Sequence, residues 1–166
     1  MDRATRWLQG FPARNKGAKE VQRDMQRFLG PQTKPKHVYT DNAGEFKLAF
    51  KRLAWTHDTS TPNRPQTNGV IERANRSVKE GTTCALVQSG LAAKWWPEAM
   101  ACFCFLKNVT LALQDGETSY RKRFGSDFSG PLIPFGAKIK YLPITQKDKE
   151  RVHKYSDKLL PGVFLG

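Results

Sequence analysis

The stretch RPQTNGVIERANRSVKEGT, residues 64–82, decides how this chain is read. A loop punctuated by Pro65 and Gly69 runs into a helical pattern that opens at Asn68 and extends to about Gly90. From Glu72 the residues Asn75, Arg76 and Lys79 follow at offsets of three, four and seven, which puts them on one helix face. Ile71, Ala74, Val78 and Ala85 form an apolar stripe, and the charged row lies about 100° around from it. A lone carboxylate thus stands among cations at the border of a buried face.

The whole chain repeats that bias. Its 166 residues suit one ordinary domain with an appendage. Lys and Arg number 28 against 15 Asp and Glu, a formal charge of +13, so a polyanionic partner such as nucleic acid is expected, or else cations scattered for solubility. No run of roughly 18 apolar residues occurs and the first residues lack a signal-peptide core, so the expectation is an intracellular chain with no membrane partner. Cys84, Cys102 and Cys104 lack paired metal-ligand spacing, and the last two fall within the apolar run AMACFCFL, as buried thiols would. His37, His57 and His153 sit in unrelated segments.

Upstream, RATRWLQGFPAR reads as two strands around a tight turn. Val21, Met25, Phe28 and Leu29 mark an amphipathic helix stopped by Gly30-Pro31. HVYTD, residues 37–41, reads as a buried strand whose end presents Asp41. Phe46, Ala49, Phe50 and Leu53 mark a second helix, and WTHDTSTP a further strand ended by Pro62. Downstream, KWWPEAMACFCFLKN predicts a helix with Pro97 in its first turn and Trp96, Ala99, Met100, Phe103 and Leu106 on its inner face. Both Trp95 and Trp96 are assigned to the core. Residues 114–134 have linker composition, AKIKYLPI alternates like a strand, and residues 147–158 are either a solvated face or a phosphate-contacting one.

Strands alternating with helices predict an α/β sheet with flanking helices, a fold in which Asp41 and Glu72 can converge. Two carboxylates beside cations suit Mg²⁺ or Mn²⁺ held against phosphate, with Arg76 and Lys79 facing a nucleic-acid backbone. The plainer alternatives are a weak intrahelical pair between Glu72 and Arg76, about 0.2–0.5 kcal/mol, and a turn with a helix cap at Asp41-Asn42. Taken singly, each is the simpler account.

Three blocks in order decide otherwise: VYTDNAGEF, TSTPNRPQTNGVIERANRSVKE and GLAAKWWPEAMACFCFLKN. They resemble the catalytic core of copia-type, retroviral-like retrotransposon integrases, metal-dependent polynucleotidyl transferases with a ribonuclease-H-like fold. The resemblance covers residues 1–108. It implies that Asp41 and Glu72 are the second and third metal carboxylates, holding Mg²⁺ or Mn²⁺. It places Pro65, Gln66 and Asn68 in a mobile active-site loop and Asn75, Arg76 and Lys79 on the face toward the DNA end, with Arg64, Gln66 and Asn68 also expected to bind DNA. PLIPFGAKIKYLP and KYSDKLLPGVFLG resemble the SH3-like segment that follows this core, so the expected division is core 1–108, linker 109–134 and partial SH3-like segment 135–166.

The same resemblance sets expectations about what is missing. MDRATRWLQGF aligns with the family's second strand, so the central first strand, the first catalytic Asp and the zinc-binding N-terminal domain are expected to be absent, with Asp2 no substitute. The expected function is an integrase fragment, inactive alone, whose complete form trims element ends and joins them to target DNA in the nucleus as a homo-oligomer. The alternative is a non-catalytic, basic DNA-binding relic. A host-interaction protein built on helix 95–106 has only the Trp pair in its favour.

Overall fold

Between Val38 and Thr59 the chain makes one β–α–β unit. The computed structural model describes residues 1–30, 32–60 and 69–166; Pro31, Pro62, Arg64, Pro65, Gln66 and Asn68 lie outside the described residues. Strand β1 (Val38–Thr40) runs parallel to β2 (His57–Thr59), with Val38 opposite His57, Tyr39 opposite Asp58 and Thr40 opposite Thr59. Parallel neighbours need a crossover connection, and a helix, Gly44–Leu53, supplies it. Asp41 follows directly on the last residue of β1. The strand is half-buried rather than buried, and among the described residues it pairs with β2 alone.

The preceding helix α1 (Ala18–Leu29) packs on the crossover helix, α2 (Gly44–Leu53), within one compact unit made of Met1 and residues 9–77. Val21, Met25, Phe28 and Leu29 are half-buried, as their spacing predicts. Gly30 ends α1 at φ 98°, a conformation that costs glycine little. On α2, Ala49 and Phe50 are fully buried, and the Phe50 ring meets Phe46, Trp55 and His57 at centroid distances of 6.3, 6.0 and 4.6 Å.

A second compact unit comprises residues 2–8 and 78–166. Helix α3 spans Gly69–Ser89. A 3-10 turn, Ala93–Trp95, leads into α4 (Trp96–Thr110). Ala99, Cys102 and Phe135 form the core, with Ala85, Leu86, Leu91, Trp95 and Leu106 packed around it. Gly81 is where α3 meets α4: a β-carbon there would overlap the Phe103 ring. Two strands, β3 (Lys138–Tyr141) and β4 (Leu160–Val163), pair antiparallel, with the short α6 (Gln146–Lys149) between them in sequence. No helix among the described residues is long and apolar enough to cross a membrane.

Four sequence expectations are corrected. Residues 3–14 form no strands: Asp2 to Thr5 is a turn, and Leu8 gives its N–H and C=O not to a ladder but to the Asn108 side chain, at 3.0 and 2.7 Å. Asn108 is 2% exposed, so one buried amide does the work of a strand neighbour. Trp96, assigned to the core, is 45% exposed, because the 3-10 turn directs Trp95 inward instead. Ile71, assigned to the apolar stripe, is exposed; the covered side runs instead through Ala74, Val78, Thr82 and Ala85. The linker-like stretch holds a helix, α5 (Ser119–Phe124), capped by the Thr118 hydroxyl and packed on α4.

Candidate functional site

Asp41 is presented where β1 gives way to α2, and its surroundings tie down the backbone rather than the carboxylate. The carbonyl of Thr40 accepts from Ser60 N at 2.8 Å, and the carbonyl of Asp41 accepts from Thr40 Oγ1 at 2.8 Å. Among the described residues only a long 3.4 Å contact from Ala43 N reaches the Asp41 Oδ1. That contact is the turn anticipated at Asp41-Asn42, and it leaves most of the carboxylate's acceptor capacity in solvent.

Glu72 sits in the first turn of α3, where the unbonded N–H groups favour a negative charge. It is exposed, as are Arg73, Asn75, Arg76 and Lys79. Among the described residues none of these charged side chains makes an ion pair, and neither does Asp41. The intrahelical Glu72–Arg76 pair that would have made this row an ordinary solvated face is not formed. Arg73, which the sequence reading did not single out, belongs with the exposed row. Arg64, Gln66 and Asn68 lie outside the described residues.

Asp41 and Glu72 belong to the same compact unit. Their oxygens are the hard donors that Mg²⁺ and Mn²⁺ take, and magnesium is commonly held by one or two carboxylates with substrate phosphate and water filling the rest. No group of three His, Cys, Asp or Glu side chains suited to a metal occurs among the described residues. As a pair of carboxylates, Asp41 and Glu72 have the chemistry to suit a magnesium ion that takes its other ligands from phosphate and water.

Asp2 is committed elsewhere. Its oxygens accept from Ala4 N at 3.0 Å and Thr5 Oγ1 at 2.6 Å. Burial opposes its ionisation, but these hydrogen bonds and the Arg123 charge outweigh it and lower the pKa. In the 140–158 segment, Lys140 pairs with Asp157 and Arg151 with Asp148, so part of that basic stretch is internally satisfied.

The fold defines a class: this is the α/β fold of retroviral integrase catalytic cores. The BIV integrase core matches with a TM-score of 0.50 at 23% identity, covering 66% of this chain and 72% of that one. The HTLV-2 integrase core in complex with magnesium matches with a TM-score of 0.50 at 18% identity, covering 64% and 70%. A simian T-cell lymphotropic virus intasome, in complex with a PP2A regulatory subunit, matches with a TM-score of 0.55 at 18% identity over 91% of this chain and 55% of that one.

In sequence the chain is a homologue of the retrovirus-related Pol polyproteins of copia-type transposons. It is 31% identical over 142 residues to that of transposon TNT 1-94 from Nicotiana tabacum, covering 80% of this chain. It is 31% identical over 176 aligned residues to that of transposon RE1 from Arabidopsis thaliana, covering all of this chain. The chain spans 10% and 12% of those polyproteins. No protein-family model matches it.

Proposed function

We propose that this integrase fragment carries two metal carboxylates of the transferase, Asp41 and Glu72, and a DNA-facing row of Asn75, Arg76 and Lys79. The observation that carries the reading is α3 itself: the exposed Glu72 at its start is followed by exposed cations, and neither these nor the further acid Glu80 is ion-paired among the described residues. Charges left unpaired in a chain of +13 are available to a polyanion and its counter-cation.

Asp41 and Glu72 supply negative oxygen ligands from a strand end and a helix start, two rigid elements. Arg76 and Lys79 hold backbone phosphates, and Asn75, just before Arg76, offers an amide to the sugar-phosphate edge. A bound Mg²⁺ or Mn²⁺ there would neutralise charge on the scissile phosphodiester and polarise the attacking oxygen. In the same reading, residues 1–108 are the core and 135–166 an SH3-like segment, and the complete protein acts in the nucleus, as a homo-oligomer, on element ends and target DNA.

The test is DNA binding by the purified chain, followed by fluorescence anisotropy across a salt series with Mn²⁺ or with chelator. Mn²⁺ is expected to tighten binding of the parent but not of Asp41→Asn or Glu72→Gln. Binding indifferent to Mn²⁺ and to both substitutions would leave a basic DNA-binding relic and end the metal reading.

A further inference from the structure

Thr40 and His57 share one face of the β1–β2 pair, since Thr40 lies opposite Thr59 and His57 opposite Val38. The Thr40 hydroxyl oxygen is 2.8 Å from the Asp41 carbonyl oxygen and 2.8 Å from His57 Nε2. A hydroxyl has one proton to give. With that proton on the Asp41 carbonyl, the second contact is satisfied only if His57 carries a hydrogen on Nε2 and donates it to Thr40.

The rest of the neighbourhood holds that arrangement in place. The His57 ring lies against Phe50, which is 1% exposed, at a centroid distance of 4.6 Å. Asp58 is engaged by His37 Nε2 at 2.8 Å, so His57 does not depend on it for a partner. Burial lowers the His57 pKa, helped by the His37 and Lys47 charges and opposed by Asp58, which keeps the ring neutral and its single hydrogen assignable. With Ser60 N on the Thr40 carbonyl at 2.8 Å, the peptide on either side of the Asp41 Cα is fixed.

We propose that His57 and Thr40 form a relay, His57 Nε2–H to Thr40 Oγ1–H to the Asp41 carbonyl, that sets the direction in which the Asp41 carboxylate is presented. His57 is a positioning residue: it acts through Thr40 on the backbone of a ligand and touches neither DNA nor metal. The relay rests on the reading of Asp41 as a metal carboxylate. Groups that orient a ligand in this way matter to affinity by about 10- to 100-fold.

The test uses the full chain and Mn²⁺ alone, read as paramagnetic broadening of the Asn42 and Ala43 amide signals. Thr40→Val and His57→Leu are expected to raise the Mn²⁺ needed for half-broadening about tenfold. Thr40→Ser, which keeps the hydroxyl, and His57→Gln, which keeps an N–H at similar reach, are expected to restore it. A Thr40→Val chain that broadens like the parent overturns the relay. If instead Asp41→Asn broadens like the parent, the metal reading has failed and the relay falls with it. Independently of metal and of any variant, the ¹⁵N shifts of His57 are expected to show the hydrogen on Nε2; a hydrogen on Nδ1 alone overturns the proposal.

Discussion

Three cations crowd onto α5, Arg121, Lys122 and Arg123, and three more stand along α3, Arg73, Arg76 and Lys79. On α5 the surrounding turns supply the opposite charges: Arg121 bridges Glu117 at 3.5 Å and Asp127 at 2.7 Å, and Lys122 pairs with Asp115. Arg123 lies over the Trp7 ring at 5.1 Å. On α3 the acids Glu72 and Glu80, four residues before and four after Arg76, take none of the cations among the described residues. Equal charge in sequence thus becomes internal structure in one place and an open surface in the other. Spacing alone does not make the difference, since Arg76 also has acids four residues before and four after it; Asp127, beyond the end of α5, is brought to Arg121 by the fold.

The largest effect that sharpens this contrast lies on the structural side. Asn108→Ala removes both partners of the Leu8 backbone at a buried site and is expected to destabilise the fold by about 2–4 kcal/mol, read by thermal or urea unfolding. DNA affinity of the folded fraction should stay the same; a loss of DNA binding beyond the loss of folded protein would break the contrast.

On the open side, charge reversal at Arg76 and Lys79 together is expected to weaken DNA binding about ten- to hundredfold and to reduce the salt slope by about two. The melting curve should move little, because these exposed side chains hold nothing else. A smaller effect is expected at the paired cluster, where Arg121→Ala loses two surface ion pairs and about 0.5–1 kcal/mol of stability. Its salt slope for DNA should match the parent's, and a reduced slope would show that α5 also contacts phosphate.

The smallest effect concerns pH. The His57 pKa is lowered in the fold from the ordinary 6.5, so the unfolded chain binds the proton more readily. Its contribution to stability is therefore complete above about pH 6.5 and is lost as pH falls through that value toward the folded pKa. Unfolding monitored from pH 7.5 to 5 should show this loss in the parent and less of it in His57→Gln.

Much of the architecture was legible because it depends on local pattern. The 3.6-residue spacing of Phe46, Ala49, Phe50 and Leu53 located α2, and the α3 spacing located a helix that ends at Ser89, one residue before its expected stop. The short apolar run before Asp41 located β1 and put that carboxylate at its end. Where expectation failed, partners distant in sequence were in control. Leu8 looked like strand because Trp7, Leu8 and Phe11 stand among turn residues, yet Asn108 took its backbone groups; the sign in sequence was a lone amide four residues after buried Cys104 on an apolar helix. Trp96 went to solvent because a 3-10 turn, a backbone choice one residue wide, turned Trp95 inward.

By itself, then, the sequence determined the order of helices and strands, the basic excess, and the carboxylates at a strand end and a helix start, because periodicity and charge act over a few residues. Only the tertiary structure decided which cations are neutralised, that Gly81 lets α3 meet the Phe103 ring, and that Thr40 and His57 secure the backbone of Asp41. Those outcomes depend on which groups come within hydrogen-bonding or van der Waals distance after folding, and a linear pattern carries no such distances.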